Sequence, residues 1–152
     1  MQLSEKQKSL VQDLISQEEL CIEKYSQYKN LAKDSELKNL FGKIREDEEQ
    51  HYNSLQHLLM GECPSLNEKN HAKLEYTPVA TYTENFNYKD KEFDQYLCTD
   101  SITTEKYIST AYNDDLFQFG EPKVRDLLNN MQTDEQKHAE MLHKYKEVNR
   151  MT

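Results

Sequence analysis

The chain has 152 residues, a length typical of one domain, and its 28 acidic against 19 basic residues give a formal net charge of −9. This acidic balance excludes the basic surface that nucleic-acid phosphates require. No apolar run approaches the roughly 20 residues that a membrane-spanning helix needs. Ten Tyr and five Phe argue against a disordered acidic tail, while three Gly and three Pro leave few turns and favour long helices. We predict a helical domain without nucleic-acid or membrane partners.

The beginning of the chain and its cysteines favour an intracellular setting. Residues 1–6 lack the apolar stretch of a signal peptide. Cys21, Cys63 and Cys98 are odd in number and show no CxxC spacing, which suits a reducing compartment without a disulfide framework or a zinc knuckle. We therefore expect a cytoplasmic location on these features alone.

Four segments show apolar residues in alternating steps of three and four, the pattern of the seam of a bundle helix. The predicted helices span about residues 4–33, 35–60, 91–119 and 122–149. In the first helix, Leu10 and Leu14 begin the predicted seam. The helices therefore account for most of the chain.

The connections between these helices predict the topology. Asp34 and Ser35 can cap helix 2 after a tight turn, and Pro122 suits the start of helix 4, so each pair is predicted to be an antiparallel hairpin. Residues 61–90 are long enough to run along a helix of about 38 Å. We therefore predict a single all-α domain over residues 1–152, a four-helix bundle in which a long crossover makes helix 3 parallel to helix 2.

The two hairpins form an internal repeat, which predicts a pseudo-two-fold axis. A shift of 87 residues, without a gap, superposes Glu18 on Glu105, Tyr25 on Tyr112, Asp47 on Asp134, Glu48 on Glu135 and His51 on His138. At 1.5 Å per residue, the glutamates of each hairpin lie level, roughly 20 Å from the connecting turn. The four glutamates are therefore predicted to occupy one layer of the bundle.

Each hairpin supplies this layer with one glutamate and one Glu-x-x-His pair, whose two side chains share a helix face. Unpaired buried charges would cost several kcal/mol each, whereas two divalent cations balance four carboxylates with both histidines neutral. Oxygen and imidazole ligands suit iron or manganese. We predict two such ions, preferably iron, and neither haem nor a nucleotide. The predicted metal ligands are Glu18, Glu48, His51, Glu105, Glu135 and His138.

Other interpretations of these polar residues remain open. The layer could instead only set the register of the helices. Two further Glu-x-x-His pairs occur in the sequence. Glu68 with His71 lies in the crossover, and Glu140 with His143 lies off the seam of helix 4. The candidate catalytic residues Tyr25 and Tyr112 follow glutamates by seven residues on the same face. They could donate a hydrogen bond to a ligand carboxylate, pass an electron, or only fill the core.

The ligand pattern resembles that of the ferritin-like superfamily, which includes bacterioferritin, rubrerythrin, ribonucleotide reductase small subunits and manganese catalases. The residues that carry the resemblance are Glu18, Asp47-Glu48-Glu49-Gln50-His51, Glu105 and Asp134-Glu135-Gln136-Lys137-His138. The resemblance implies an oxidoreductase of ferroxidase, peroxidase or catalase type, with O2 or H2O2 as substrate. It also implies terminal ligands at Glu18 and Glu105 and bridging ligands at Glu48 and Glu135.

The same resemblance implies crossed partners for the two histidines. Asp47 is expected to hold the ring N–H of His138, and Asp134 that of His51, because a metal-bound imidazole needs its second nitrogen protonated and oriented. The alternative is that both aspartates are exposed and serve only solubility.

A narrower resemblance concerns one branch of the superfamily. Rubrerythrins carry a second glutamate where this chain has Ile108, and their CxxC module is absent here. Residues 13–18, followed by Tyr25 and residues 37–40, are similar to the spore coat F type of ferritin-like protein, although this chain has no Trp. That similarity implies a location in the spore coat. The alternative function is then a structural protein whose metal site only stabilises the bundle, with spore-coat partners or further copies of itself.

Overall fold

The structure, a computed structural model, describes residues 1–66 and 75–151. All regular secondary structure in this part of the chain is helical: α1 (Glu5–Leu31), α2 (Ser35–Leu59), α3 (Tyr88–Leu116) and α4 (Pro122–Val148). Helix α1 packs against α2 and α3 packs against α4, while α1 also contacts α3 and α2 contacts α4. The predicted all-α bundle of two hairpins is confirmed. Over the described ranges, no helix combines the length and apolarity needed to cross a membrane.

Side-chain caps determine where α2 and α3 begin. The Asp34 carboxylate accepts a hydrogen bond from the backbone N–H of Glu36 at 3.4 Å and caps α2. The Asn87 side chain accepts from the backbone N–H groups of Lys89 and Asp90 at 2.8 and 3.3 Å. Helix α3 therefore begins at Tyr88, before the predicted start at residue 91.

The seam of α1 contains Val11 instead of the predicted Leu10. Val11 is fully buried, whereas Leu10 is half-buried. Starting from Val11, the steps through Leu14, Glu18 and Cys21 alternate between three and four residues. Starting from Leu10 would require two consecutive steps of four, which drift around the helix surface. The periodicity of the seam therefore selects Val11.

The crossover carries the chain from one end of the bundle to the other. Cys63 Sγ lies 3.6 Å from the carbonyl oxygen of Lys123, near the start of α4. Tyr76 donates a hydrogen bond at 3.0 Å to Glu36 Oε1, near the start of α2. These contacts lie at opposite ends of the bundle, so α3 runs parallel to α2, as predicted.

A polar network fixes the end of the bundle at which α3 begins. The buried carboxylate of Asp94 accepts hydrogen bonds from the backbone N–H groups of Lys33 and Asp34 at 2.9 and 3.0 Å, and from the Tyr82 hydroxyl at 2.5 Å. Asn149 Oδ1 accepts from the backbone N–H of Tyr82 at 2.9 Å. The network joins the α1–α2 turn, the crossover, α3 and the end of α4. It therefore holds the two hairpins in register.

Replacing Asp94 with asparagine is expected to lower the free energy of unfolding by about 2–3 kcal/mol. The amide has one acceptor oxygen, so its NH2 group would face a backbone or hydroxyl donor. Urea unfolding followed by circular dichroism measures the change. The matched control, Asp114→Asn, alters an exposed carboxylate of the same helix and should change stability by less than about 0.5 kcal/mol. An Asp94→Asn protein as stable as the control would contradict this role.

Candidate metal centre

Four glutamates and two histidines lie together in the middle of the bundle. Helices α1 and α3 each supply one glutamate from their seam, and α2 and α4 each supply a Glu-x-x-His pair. None of the six exposes more than 4% of its surface: Glu18, Glu48, His51, Glu105, Glu135 and His138. The structure thus brings together all six residues that the repeat predicted to share a layer.

The six side chains form two overlapping groups of four. In each group, one ligand atom per residue lies within 4.8 Å of the others. The groups are Glu18, Glu48, His51 and Glu135, and Glu48, Glu105, Glu135 and His138. Glu48 and Glu135 belong to both groups, and the two imidazole centroids are 6.4 Å apart. The geometry therefore suits two cations that share two carboxylates.

The shared carboxylates have no hydrogen-bond donors within the described residues. All four oxygens of Glu48 and Glu135 are buried without a hydrogen-bond partner. His51 Nδ1 lies 2.9 Å from Glu135 Oε1 and 3.3 Å from Glu48 Oε1, but not in hydrogen-bonding geometry. Because unpaired buried carboxylates are costly, this layer needs protons or cations to be stable. The residues present therefore fit a pair of metal ions.

Burial and mutual repulsion raise the pKa of three of the four glutamates. Burial, reinforced by the charge of Glu48, raises the pKa of Glu18 to about 7. The pKa of Glu48 rises to about 7 through burial and the neighbouring Glu135, and that of Glu135 rises to about 7 through burial and Glu105. The layer can therefore hold protons at a pH where exposed glutamates are ionised.

Each histidine contacts an aspartate of the other hairpin. His51 Nε2 lies 2.8 Å from Asp134 Oδ2, and His138 Nε2 lies 2.9 Å from Asp47 Oδ2. Burial opposes a charged imidazole, but these aspartates and the nearby glutamates hold the pKa of both histidines well above its ordinary value. In the neutral ring the aspartate keeps the proton on Nε2, and Nδ1, which faces the glutamates, is then available to a cation.

Two buried tyrosines contact the glutamates that α1 and α3 supply. The Tyr25 hydroxyl donates to Glu105 Oε1 at 2.5 Å, and the Tyr112 hydroxyl donates to Glu18 Oε1 at 2.9 Å. Burial and the neighbouring carboxylates raise the pKa of both phenols well above its ordinary value, so both remain protonated donors. Each tyrosine therefore orients a carboxylate of the opposite hairpin. A catalytic role for either tyrosine stays a prediction.

The pair Glu140 and His143 does not join the layer. His143 is exposed, and Glu140 forms an ion pair with Lys144 at 3.0 Å on the surface of α4. Glu68 and His71 lie outside the described residues. A Glu-x-x-His pair therefore predicts a place in the glutamate layer only where the pair lies on the seam of its helix.

Sequence reasoning missed two polar contacts that position the helices. Lys24 forms an ion pair with Asp100, and the Tyr28 hydroxyl donates to Asp100 Oδ2 at 2.6 Å, which joins α1 to α3. The Asp94 network was also missed. Extending the seam of α3 by one step before Leu97 would have placed Asp94 in the core, where a carboxylate needs donors.

The comparisons with known proteins bear on the second hairpin. Residues 94–147, which include most of α3 and nearly all of α4, match the family model of the Coat F domain. Residues 13–18 and 37–40, on which the coat F resemblance was predicted, lie in the first hairpin. The 87-residue repeat superposes them on residues 100–105 and 124–127, inside the matched range. No curated protein and no solved structure matches the chain.

Proposed function

We propose that this chain is a structural protein of a spore coat, a helical bundle that two divalent transition-metal ions stabilise. The observation that carries the coat assignment is the match of the second hairpin to the Coat F domain. The observation that supports the metal ions is the buried carboxylate and imidazole layer, whose shared carboxylates lack hydrogen-bond donors within the described chain. Iron or manganese suits this mixture of ligands.

The proposed site assigns a place to each of the six ligands. Glu48 and Glu135 would serve as ligands of both ions, because they belong to both groups. Glu18 and His51 complete one position, and Glu105 and His138 complete the other. Two divalent ions balance the charge of four ionised glutamates. A ligand at about 100 times its dissociation constant stabilises a fold by about 2.7 kcal/mol, so the ions would contribute substantially to stability.

Metal analysis and thermal unfolding test this proposal. Protein purified from spores of the native host should contain iron or manganese, and it should fractionate with the coat. Removing the metal with a chelator should lower Tm by several degrees, and adding Mn²⁺ should restore it. A protein that contains no metal and gains no stability from Fe²⁺ or Mn²⁺ would contradict the metal site. A protein confined to vegetative cells would contradict the coat assignment.

A dimetal oxidoreductase acting on O2 or H2O2 is the second candidate. The buried tyrosine hydroxyls on Glu18 and Glu105 favour it, since a phenol beside a redox-active ion can deliver a proton or an electron. The ions would supply the redox chemistry, while the tyrosines would hold two ligand carboxylates. The test is turnover of O2 or H2O2 by metal-loaded protein. The variant Tyr25→Phe with Tyr112→Phe should lower turnover if this function operates, whereas a structural protein shows no turnover to lose.

Asp47→Asn is expected to weaken metal affinity about 10–100-fold, because an amide holds the Nε2 proton of His138 less strongly than a carboxylate does. Isothermal titration calorimetry with Mn²⁺ measures the change. Glu46→Gln, which alters the exposed neighbour on the same helix, is the matched control and should leave the affinity unchanged. Equal affinities of the two variants would show that Asp47 has no part in ion binding.

A further inference from the structure

A groove between α3 and α4 leads to the glutamate layer. It has a volume of about 340 Å³, and its lining includes the buried Glu105 and Glu135. The half-buried Ser109 and Ala139 line it nearer the surface, together with the exposed Lys106. The groove therefore runs from solvent toward two of the carboxylates in the layer.

The internal repeat explains why the groove lies in the second hairpin. The 87-residue shift that aligns the ligands also aligns Ser109 with Ile22 and Ala139 with Tyr52. Tyr52 packs against the hydrophobic core, and its hydroxyl accepts a hydrogen bond from Gln56 at 3.0 Å. Two small side chains in the second hairpin thus correspond to two large ones in the first. The missing side-chain volume opens a path between α3 and α4.

We propose that this groove is the path by which divalent cations reach the layer, with Ser109 and Ala139 determining its width. The inference rests on the proposed metal site. None of the six candidate ligands exposes more than 4% of its surface, so an ion must pass between helices to reach them. The groove is such a passage, and its lining includes Glu105 and Glu135, two of the six candidate ligands of the proposed site.

The charges along the groove affect the rate at which cations pass through it. The carboxylates of Glu105 and Glu135 attract a cation inward. Lys106 places a positive charge in the lining, at the position that Glu19 occupies in the first hairpin. An ammonium group in a narrow passage repels an approaching divalent ion. Lys106 therefore slows cation uptake without being a ligand.

Stopped-flow mixing of metal-free, full-length protein with Co²⁺ tests the path, because the visible absorption of bound Co²⁺ reports uptake directly. The filled-groove variant, Ser109→Ile with Ala139→Tyr, gives these two positions the side chains that the first hairpin carries at the corresponding positions. It should slow uptake at least about tenfold, which corresponds to about 1.4 kcal/mol in the barrier, while the amount bound at equilibrium stays the same. The size-matched control, Thr103→Ile with Thr133→Tyr, alters exposed positions of the same two helices and should load at the wild-type rate.

Two further substitutions are expected to speed cation uptake. Lys106→Glu should speed uptake several-fold at low ionic strength, and the gain should shrink as salt screens the charge. Tyr52→Ala opens the corresponding position in the first hairpin. Adding it to the filled-groove variant should restore rapid uptake. Circular dichroism confirms that each variant is folded before its rate is compared.

The outcomes separate this inference from the metal site on which it rests. If wild-type protein binds Co²⁺ and the filled-groove variant loads as fast as the control, the groove is not the path and the inference is overturned. If wild-type protein binds no Co²⁺ at all, the metal site itself is wrong and the inference is overturned with it. Slow loading to the same final amount, with acceleration by Lys106→Glu, supports the path.

Discussion

Replacing both shared glutamates, Glu48→Ala together with Glu135→Ala, is expected to abolish iron and manganese binding while leaving most of the helicity. Each of these glutamates belongs to both ligand groups, so the double variant removes two of four donors at each position. The loss should reach at least about a thousandfold in affinity, or about 4 kcal/mol. The apolar seam on either side of the layer remains intact, which preserves the helices.

Metal content after dialysis and the circular dichroism signal at 222 nm measure the two parts of this prediction. The matched control, Glu49→Ala with Glu140→Ala, removes two partly or fully exposed glutamates from the same two helices. That control should bind as much metal as the wild-type protein. A double variant at Glu48 and Glu135 that keeps its full metal content would exclude the layer as the binding site.

The layer could be predicted from sequence because helices behave as rigid rods with a fixed rise. Counting residues from each turn brings Glu18 level with Glu48, and the repeat transfers the same register to the second hairpin. The alternation of steps of three and four identifies the seam, and polar residues on it are conspicuous. The same alternation, applied strictly, would also have selected Val11 over Leu10.

The contacts that could not be predicted from sequence depend on the packing of segments that are distant in sequence. The face of α1 on which Tyr25 lies could be predicted, but the contact of Tyr25 with Glu105 follows from the way α1 packs against α3. The partners of Asp94 come from the α1–α2 turn and from Tyr82, which precedes α3 in a segment without helical periodicity. The groove depends on side-chain size at half-buried positions. Comparing Ala139 with Tyr52 through the repeat carries that information, but only the structure shows that the position lines a passage.

The metal-free protein is expected to lose stability as the pH rises from about 5 to about 8. Burial raises the pKa of Glu18, Glu48 and Glu135 from 4.5 to about 7, so the folded protein retains protons that the unfolded chain has already released. The stability that these protons confer is present below the pKa of the glutamates in the unfolded chain. It is lost as the pH rises through their pKa in the folded protein. The raised pKa of the two histidines acts in the same direction.

Bound metal should reverse this dependence, because metal ions and protons compete for the same carboxylates and imidazoles. Near pH 5 the protonated layer binds metal weakly, and the loaded and metal-free proteins should have similar stability. Near pH 8 the ionised layer binds metal tightly, and the difference in the free energy of unfolding should be largest. The two stability curves are therefore expected to diverge as the pH rises.

Urea unfolding of chelator-treated protein at several pH values, with and without Mn²⁺, measures both curves. Exposed carboxylates also titrate, so the reference is the isosteric variant Glu18→Gln, Glu48→Gln and Glu135→Gln, which lacks the three raised carboxyl groups. Relative to this variant, the metal-free wild-type protein should become progressively less stable between about pH 5 and about pH 8. Two proteins with parallel pH dependence would show that these glutamates do not hold protons in the folded state. The layer would then need a cation at every pH at which the bundle folds.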